Sequence, residues 1–164
     1  MRFNYLLLVI FFLALFSCNK DPNDEILYLN SFENSSDTTG WKGCSVDLVD
    51  DTPENGGKKS VKISCGCIGG PHTYFDIPSC DKDCYLIVTC QGKGAGVGGS
   101  VTLKNETGNI SLRIDGDIHN WQSFQTTDTL FSPAGEKLTM YLSADGIAGG
   151  TIFLDMLQVE KVEK

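Results

Sequence analysis

The chain has 164 residues, with 21 acidic against 13 basic side chains and a formal charge of −8. That length holds one domain with a real core, and that acidity argues against partners gripped through phosphate, since nucleic acid and anionic lipid surfaces select a positive face. Only two histidines are present, His72 and His119, without metal-binding spacing between them, against seven cysteines and 18 glycines.

At the N-terminus Arg2 is the one charge before an unbroken apolar run over residues 5–16. The run is too short to cross a bilayer as a helix and has the length of a signal peptide's apolar region. It ends Leu15-Phe16-Ser17-Cys18, which resembles the lipobox of bacterial lipoproteins, with Leu three before the Cys and a small residue just before it. The resemblance implies that residues 1–17 are a signal peptide and that the Cys18 sulfur takes a diacylglycerol. It also implies that the new amino terminus is acylated, with palmitate as the expected kind of chain. More than one chain makes such an anchor stable. Residues 18–25 are polar and read as a tether. Its acidic residues Asp21, Asp24 and Glu25 resemble the export signal of surface-displayed lipoproteins, which implies the outer membrane, facing the cell exterior.

Residues 26–164 alternate short apolar stretches with Gly, Asn, Asp and Pro clusters. Strands are expected over 26–33, 44–49, 60–65, 72–77, 85–91, 100–104, 110–114, 122–127, 137–143 and 151–159. Val46 and Leu48, Val61 and Ile63, and Leu138, Met140 and Leu142 repeat with the period of two that marks half-buried strands. No stretch carries a helical period. Turn residues recur at sandwich spacing, so the expected fold is all-β: a two-sheet antiparallel jelly roll. One hairpin can be registered. Val46 opposite Ile63 and Leu48 opposite Val61 put one apolar face together and centre the turn on Glu54-Asn55.

With Cys18 lipidated, Cys44, Cys65, Cys67, Cys80, Cys84 and Cys90 remain. An even number in an exported domain reads as disulfides, three of them here. Zinc is the rival, but no C-x2-C pair occurs. The hairpin sets Cys44 opposite Cys65 or one step from Cys67, and Cys80 and Cys84 could bracket the turn between them. Gly94-Ala95-Gly96-Val97-Gly98-Gly99 satisfies G-x-G-x-x-G, yet a strand pattern follows where a dinucleotide site needs a helix, so it reads as a flexible loop.

The order of these pieces carries a wider resemblance. Asn30-Ser31-Phe32-Glu33, Gly40-Trp41, Gly56-Gly57 feeding Lys58 to Ile63, Tyr85 to Val88, Trp121 to Phe124, and Gly149-Gly150-Thr151 leading to Asp155 are similar to the galactose-binding-like jelly rolls found as carbohydrate-binding modules. The resemblance implies a structural Ca²⁺ held by Glu33 and Asp155 with carbonyls near Lys59 and Ser60; Met156 stands where a second acid is frequent. It implies that Trp41 and Trp121 pack in the core. It also implies a sugar site on a sheet face or at the loops, for which Tyr74, His72, Gln91, Arg113 and His119 are the candidates. The expected function is therefore a cell-surface lipoprotein that binds polysaccharide without cleaving it, and not an enzyme. A structural or adhesive subunit of a surface assembly is the alternative, and a small glycan-active hydrolase, which needs two opposed carboxylates, the third.

Overall fold

The structure, a computed structural model, describes residues 25–44, 46–64, 73–145 and 149–162. The described residues form eleven strands: β1 (Ile26–Asn30), β2 (Val46–Val49), β3 (Ser60–Ser64), β4 (Thr73–Ile77), β5 (Cys84–Ala95), β6 (Gly99–Lys104), β7 (Asn109–Ile114), β8 (Gln122–Gln125), β9 (Leu130–Ser132), β10 (Leu138–Ala144) and β11 (Thr151–Val162). A short 3₁₀ turn at Ser35–Thr38 follows β1. The strands build two antiparallel sheets. One is ordered β2-β3-β11-β5-β8, with β1 also on β11 and β9 also on β5; the other is β4-β10-β6-β7. The expected all-β sandwich is the observed fold.

The two central strands of the larger sheet, β5 and β11, are 12 residues each. Their length lets each carry two partners along one edge. β11 pairs β3 through Thr151–Leu154 and β1 through Leu157–Glu160. Between these partners β11 bulges at Asp155 to Gln158, and Met156 takes φ +49°. A bulge inserts one unpaired residue and re-aims its neighbours. Here Asp155 and Leu157 are both fully buried while Met156 is exposed.

Period-two alternation fills the core. Val61 and Ile63, Leu86 and Val88, Val101 and Leu103, Leu138, Met140 and Leu142, and Ile152 and Leu154 all point inward and are buried. Each such side chain contributes about 1.5–3 kcal/mol on burial. The registered hairpin is as expected: Val46 lies opposite Ile63 and Leu48 opposite Val61, with Gly56 N–H closing the turn onto the Pro53 carbonyl.

Three expectations change. The glycine run is no slack loop. β5 continues to Ala95 and turns tightly through Gly96 and Val97 into β6. Gly116 packs backbone-to-backbone against Gly96, where any Cβ would collide with the Gly96 carbonyl. The short strand β9 was not expected. And the three-disulfide framework is revised. Cys80 and Cys84 are bonded, but Cys90 is a core thiol with no bridge, 4% exposed, and burial pushes it up to about 12. With Cys90 outside, six cysteines cannot make three internal bridges. Cys18, Cys65 and Cys67 lie outside the described residues.

Candidate functional site

The outer face of the four-stranded sheet is set by alternation. β4 turns Tyr74 and Asp76 outward, β10 turns Thr139 and Tyr141, β6 turns Ser100, Thr102 and Lys104, and β7 turns Asn109, Ser111 and Arg113. Strand register places these in rows, because directly opposed residues share a face. Tyr74 pairs Tyr141, Tyr141 pairs Thr102, and Thr102 pairs Ser111. Lys42 extends the row beyond β4 through two backbone hydrogen bonds of 2.9 Å with Tyr74.

The tyrosine rings stack with centroids 5.7 Å apart and planes 23° from parallel. Around them lies a hydroxyl surface. Thr102 and Ser111 share a hydrogen bond of 2.8 Å, as do Ser100 and Ser143. The Thr139 hydroxyl donates to Asp76 at 2.9 Å. The Lys137 ammonium, then the Thr139 hydroxyl, hold the Asp76 carboxyl below the ordinary carboxylate range.

At the β4 edge the face opens into a pocket lined by Tyr28, Asn30, Trp41, Lys42, Tyr74 and Asp76, among others. Trp41 forms its apolar wall, stacked on Phe75 at 4.3 Å and edge-on to Phe32. Trp41 thus packs against the core, as expected. Asn30 fixes the inner corner: its amide donates to the Tyr28 hydroxyl and the Asp37 carbonyl, and its oxygen accepts from Phe32 N–H. Burial pushes the Tyr28 phenol up, so it stays protonated at neutral pH. Such a surface, with two ring faces and many hydroxyl donors and acceptors, suits a polar ligand with apolar C–H patches.

A second feature stands at the break between β3 and β1. Glu33 accepts from Lys58 N–H through both carboxylate oxygens at 2.9 Å and from Lys59 N–H at 3.4 Å. Asp155 accepts from Met156 N–H at 2.7 Å through Oδ1. Its Oδ2 is the one buried side-chain polar atom among the described residues with no hydrogen bond of ordinary geometry. Gly56 and Gly57 let the loop backbone lie directly against the two acids, where a Cβ would strike the carboxylates. Burial, with the Glu33 charge added, pushes Asp155 above the usual carboxylate value, and the Met156 and Gly57 amides offset this only partly. The unspent buried Asp155 oxygen suits a hard divalent cation, which takes oxygen ligands including backbone carbonyls, while both Glu33 oxygens are already engaged by backbone amides. No group of three or more His, Cys, Asp or Glu side chains forms a metal cluster among the described residues, so such an ion would draw its other ligands from carbonyls and water.

The fold has known counterparts. No protein-family model and no curated protein matches the sequence. Among solved structures, the chain is similar to the CBM22-1 xylan-binding domain of Paenibacillus barcinonensis Xyn10C, with TM-score 0.61 and 19% identity over 85% of this chain and 96% of that one. It is also similar to the carbohydrate-binding module CBM6cm-2 of Cellvibrio mixtus lichenase 5A, solved with cellotriose, with TM-score 0.54 and 16% identity over 84% and 99%. An arabinose-bound α-L-arabinofuranosidase, MgGH51, contains a similar portion, with TM-score 0.59 and 18% identity over 84% of this chain and 26% of that one. At such identities the likeness is one of fold: a jelly-roll sandwich used by carbohydrate-binding modules.

The sequence-expected sugar residues do not all meet. Tyr74 and Arg113 share the four-stranded face. Arg113 is committed there as a clamp between loops, donating to Asp115 at 2.9 Å, to Asp145, and to the Val97 carbonyl at 2.7 Å. Gln91 lies on the opposite sheet, where its amide donates to Ser123 at 2.7 Å. His119 is exposed in the loop before β8. His72 lies outside the described residues. Trp121 is not core, contrary to expectation. It shares parity with outward Ser123, opposite to inward Phe124, so it faces out and donates to Asp51 at 3.3 Å. Tyr141 was not among the candidates. Its signal was its place between Met140 and Leu142 on an alternating strand, which only the pairing with β4 turns into a site.

Proposed function

We propose that this domain binds polysaccharide on the outer face of the four-stranded sheet and does not cleave it. The observation that carries the reading is the in-register row Lys42, Tyr74, Tyr141, Thr102 and Ser111. The stacked rings supply faces for pyranose C–H groups, the Ser and Thr hydroxyls and the cation supply hydrogen bonds, and the β4 pocket gives the chain a bounded end. The shared fold with a xylan-binding domain and a module seen with cellotriose supports the same ligand class. Asp76 shares the β4 pocket with Asp37, but it is paired with Lys137 at 3.0 Å and held below the ordinary carboxylate range by Lys137 and Thr139, the opposite of the raised general acid that glycoside hydrolysis needs.

Two further parts of the reading stand with it. Glu33 and Asp155 hold a Ca²⁺ that stiffens the loop between β2 and β3. The chain is anchored through lipid on Cys18 and displayed at the outer face of the outer membrane.

The test is direct. The soluble domain without residues 1–18 is titrated with xylan- and cellulose-derived oligosaccharides, and run through gels containing a broad panel of soluble polysaccharides. Retardation by at least one polymer, lost in Tyr74→Ala and Tyr141→Ala with unchanged melting, is the expected outcome. A wild-type domain that nothing in the panel retards overturns the reading, and release of reducing ends would make the protein an enzyme.

A further inference from the structure

We propose that the opposite side of the sandwich, the outer face of the seven-stranded sheet, is a second and independent site for a neutral, hydroxyl-rich sugar chain. One domain would then hold two glycan segments and could cross-link them. The inference rests on the reading of the domain as a glycan binder.

Two adjoining hollows open on that face and share Gln91, Ser123 and Met156. Register lays out the floor. Gln125 pairs Thr89, and Thr89 pairs Gln158, so two glutamines flank β5 in one row. One step along, Gln91 lies opposite Ser123, and Trp121 follows as a side wall facing the turn at Glu54 and Asn55. The amides of Gln125 and Gln158 make no side-chain hydrogen bond among the described residues, and Gln91 makes one, to Ser123. A primary amide offers a donor pair and an acceptor side by side, which matches two adjacent sugar hydroxyls. Three of them beside an indole are a recognition set for a pyranose.

The charge beside the indole is paired. Lys93 is ion-paired with Asp51 and sits 5.4 Å from the Trp121 ring centroid and 4.9 Å from that of Phe153. The Lys93 ammonium, and after it the Trp121 indole N–H, hold Asp51 below the ordinary carboxylate range. These bonds fix the indole's orientation and leave the wall neutral. The backbone gives a separate sign. Met156 lies where the two hollows join, in the left-handed region at φ +49° and exposed. Backbone strain of this kind clusters at ligand sites. The hollows together display one carboxylate, Glu54, which suits holding a sugar and not cutting it.

The experiment uses the soluble domain, cellotriose and xylan-derived oligosaccharides as probes, and two paired variants: Gln91→Ala with Trp121→Ala, and Tyr74→Ala with Tyr141→Ala. A third variant, Gln125→Leu with Gln158→Leu, removes two of the groove amides without touching the Trp121–Asp51–Lys93 contacts. Amide shift perturbations map the faces, and turbidity of a soluble xylan or glucan reports cross-linking. We expect wild-type shifts on both faces and turbidity. Each groove variant should lose the seven-stranded-face shifts at least tenfold in affinity and lose turbidity, while retaining the Tyr74–Tyr141 shifts. Groove variants that leave shifts and turbidity unchanged overturn the second site and leave the first standing. Binding lost only in the groove variants keeps the second site and removes the first. A wild-type domain that binds none of the probes removes both.

Discussion

At the residue scale, two carboxylates and two rings decide most of what can be tested. Asp155 is buried with one oxygen unspent beside a second acid, and an uncompensated buried charge is costly. Asp155→Asn removes that charge and with it a proposed ligand. Its effect should therefore change sign with calcium: the metal-stripped variant melts as high as metal-stripped wild type or higher, while added Ca²⁺ raises only the wild type. At a hundred times the dissociation constant the wild-type gain is about 2.7 kcal/mol, a shift of several degrees by scanning calorimetry. Equal calcium responses in both proteins would remove the site. On the proposed sugar face, Tyr141→Ala takes away one of two stacked rings. A lost stacking contact of about 0.5–1.5 kcal/mol weakens binding up to roughly tenfold, and Tyr141→Phe should retain most of it. Cys90 gives a third reading. Its burial without a bridge implies that ordinary thiol reagents leave it untouched in the native domain. Denatured but unreduced, the exported domain should titrate at least two thiols, because one unpaired cysteine among six leaves another.

At the element scale the fold was legible and the site was only half so. Ten of the strands follow from alternation and turn residues, and the β2–β3 register follows from matching Val46 and Leu48 to Ile63 and Val61. What was missed is short or non-local. β9 is three residues ending before Pro133, too brief to show a period. The β5–β6 hairpin looked like slack chain because its glycines serve close backbone packing, which a single sequence does not reveal. Tyr74 was legible as an exposed aromatic on a strand, but Tyr141 becomes its neighbour only through β4–β10 pairing, 67 positions apart in the register. The Trp121 expectation failed on parity: it lies one residue before β8, and nothing local said which way that strand would face. The hairpin itself can be tested. Gly116→Ala puts a Cβ into the Gly96 carbonyl, and overpacking of this kind costs about 1–3 kcal/mol. The denaturation midpoint should fall accordingly, with the sugar face, on which neither glycine lies, still competent at low temperature.

At the scale of the whole molecule, affinity per site and the mode of attachment have to be considered together. A shallow surface of two tyrosines and hydroxyls is expected to bind weakly; a dissociation constant near 1 mM corresponds to about −4.1 kcal/mol. At that strength a soluble monomer is half-saturated only at millimolar site concentrations, which a concentrated polysaccharide gel supplies and a dilute polymer does not. Lipid on Cys18 would change the problem, because many copies on one membrane meet one polymer. After the first contact each further contact is intramolecular, and overall avidity can rise about 10²–10⁴-fold with no new interaction. The first strand begins at Ile26, and on the proposal of a lipid at Cys18 residues 19–25 would be the spacer. Cys18→Ala should accordingly abolish metabolic labelling with a fatty-acid analogue and release the protein from membranes. It should also collapse polysaccharide capture by cells far more than the Tyr74→Ala change does at a single site, while the purified domain keeps its wild-type millimolar affinity. Capture restored by displaying the same Cys18→Ala domain densely on beads would assign the loss to valency. A variant that still labels and still pellets with membranes would instead remove the anchor, and a purified domain whose own affinity falls with the substitution would remove the avidity argument.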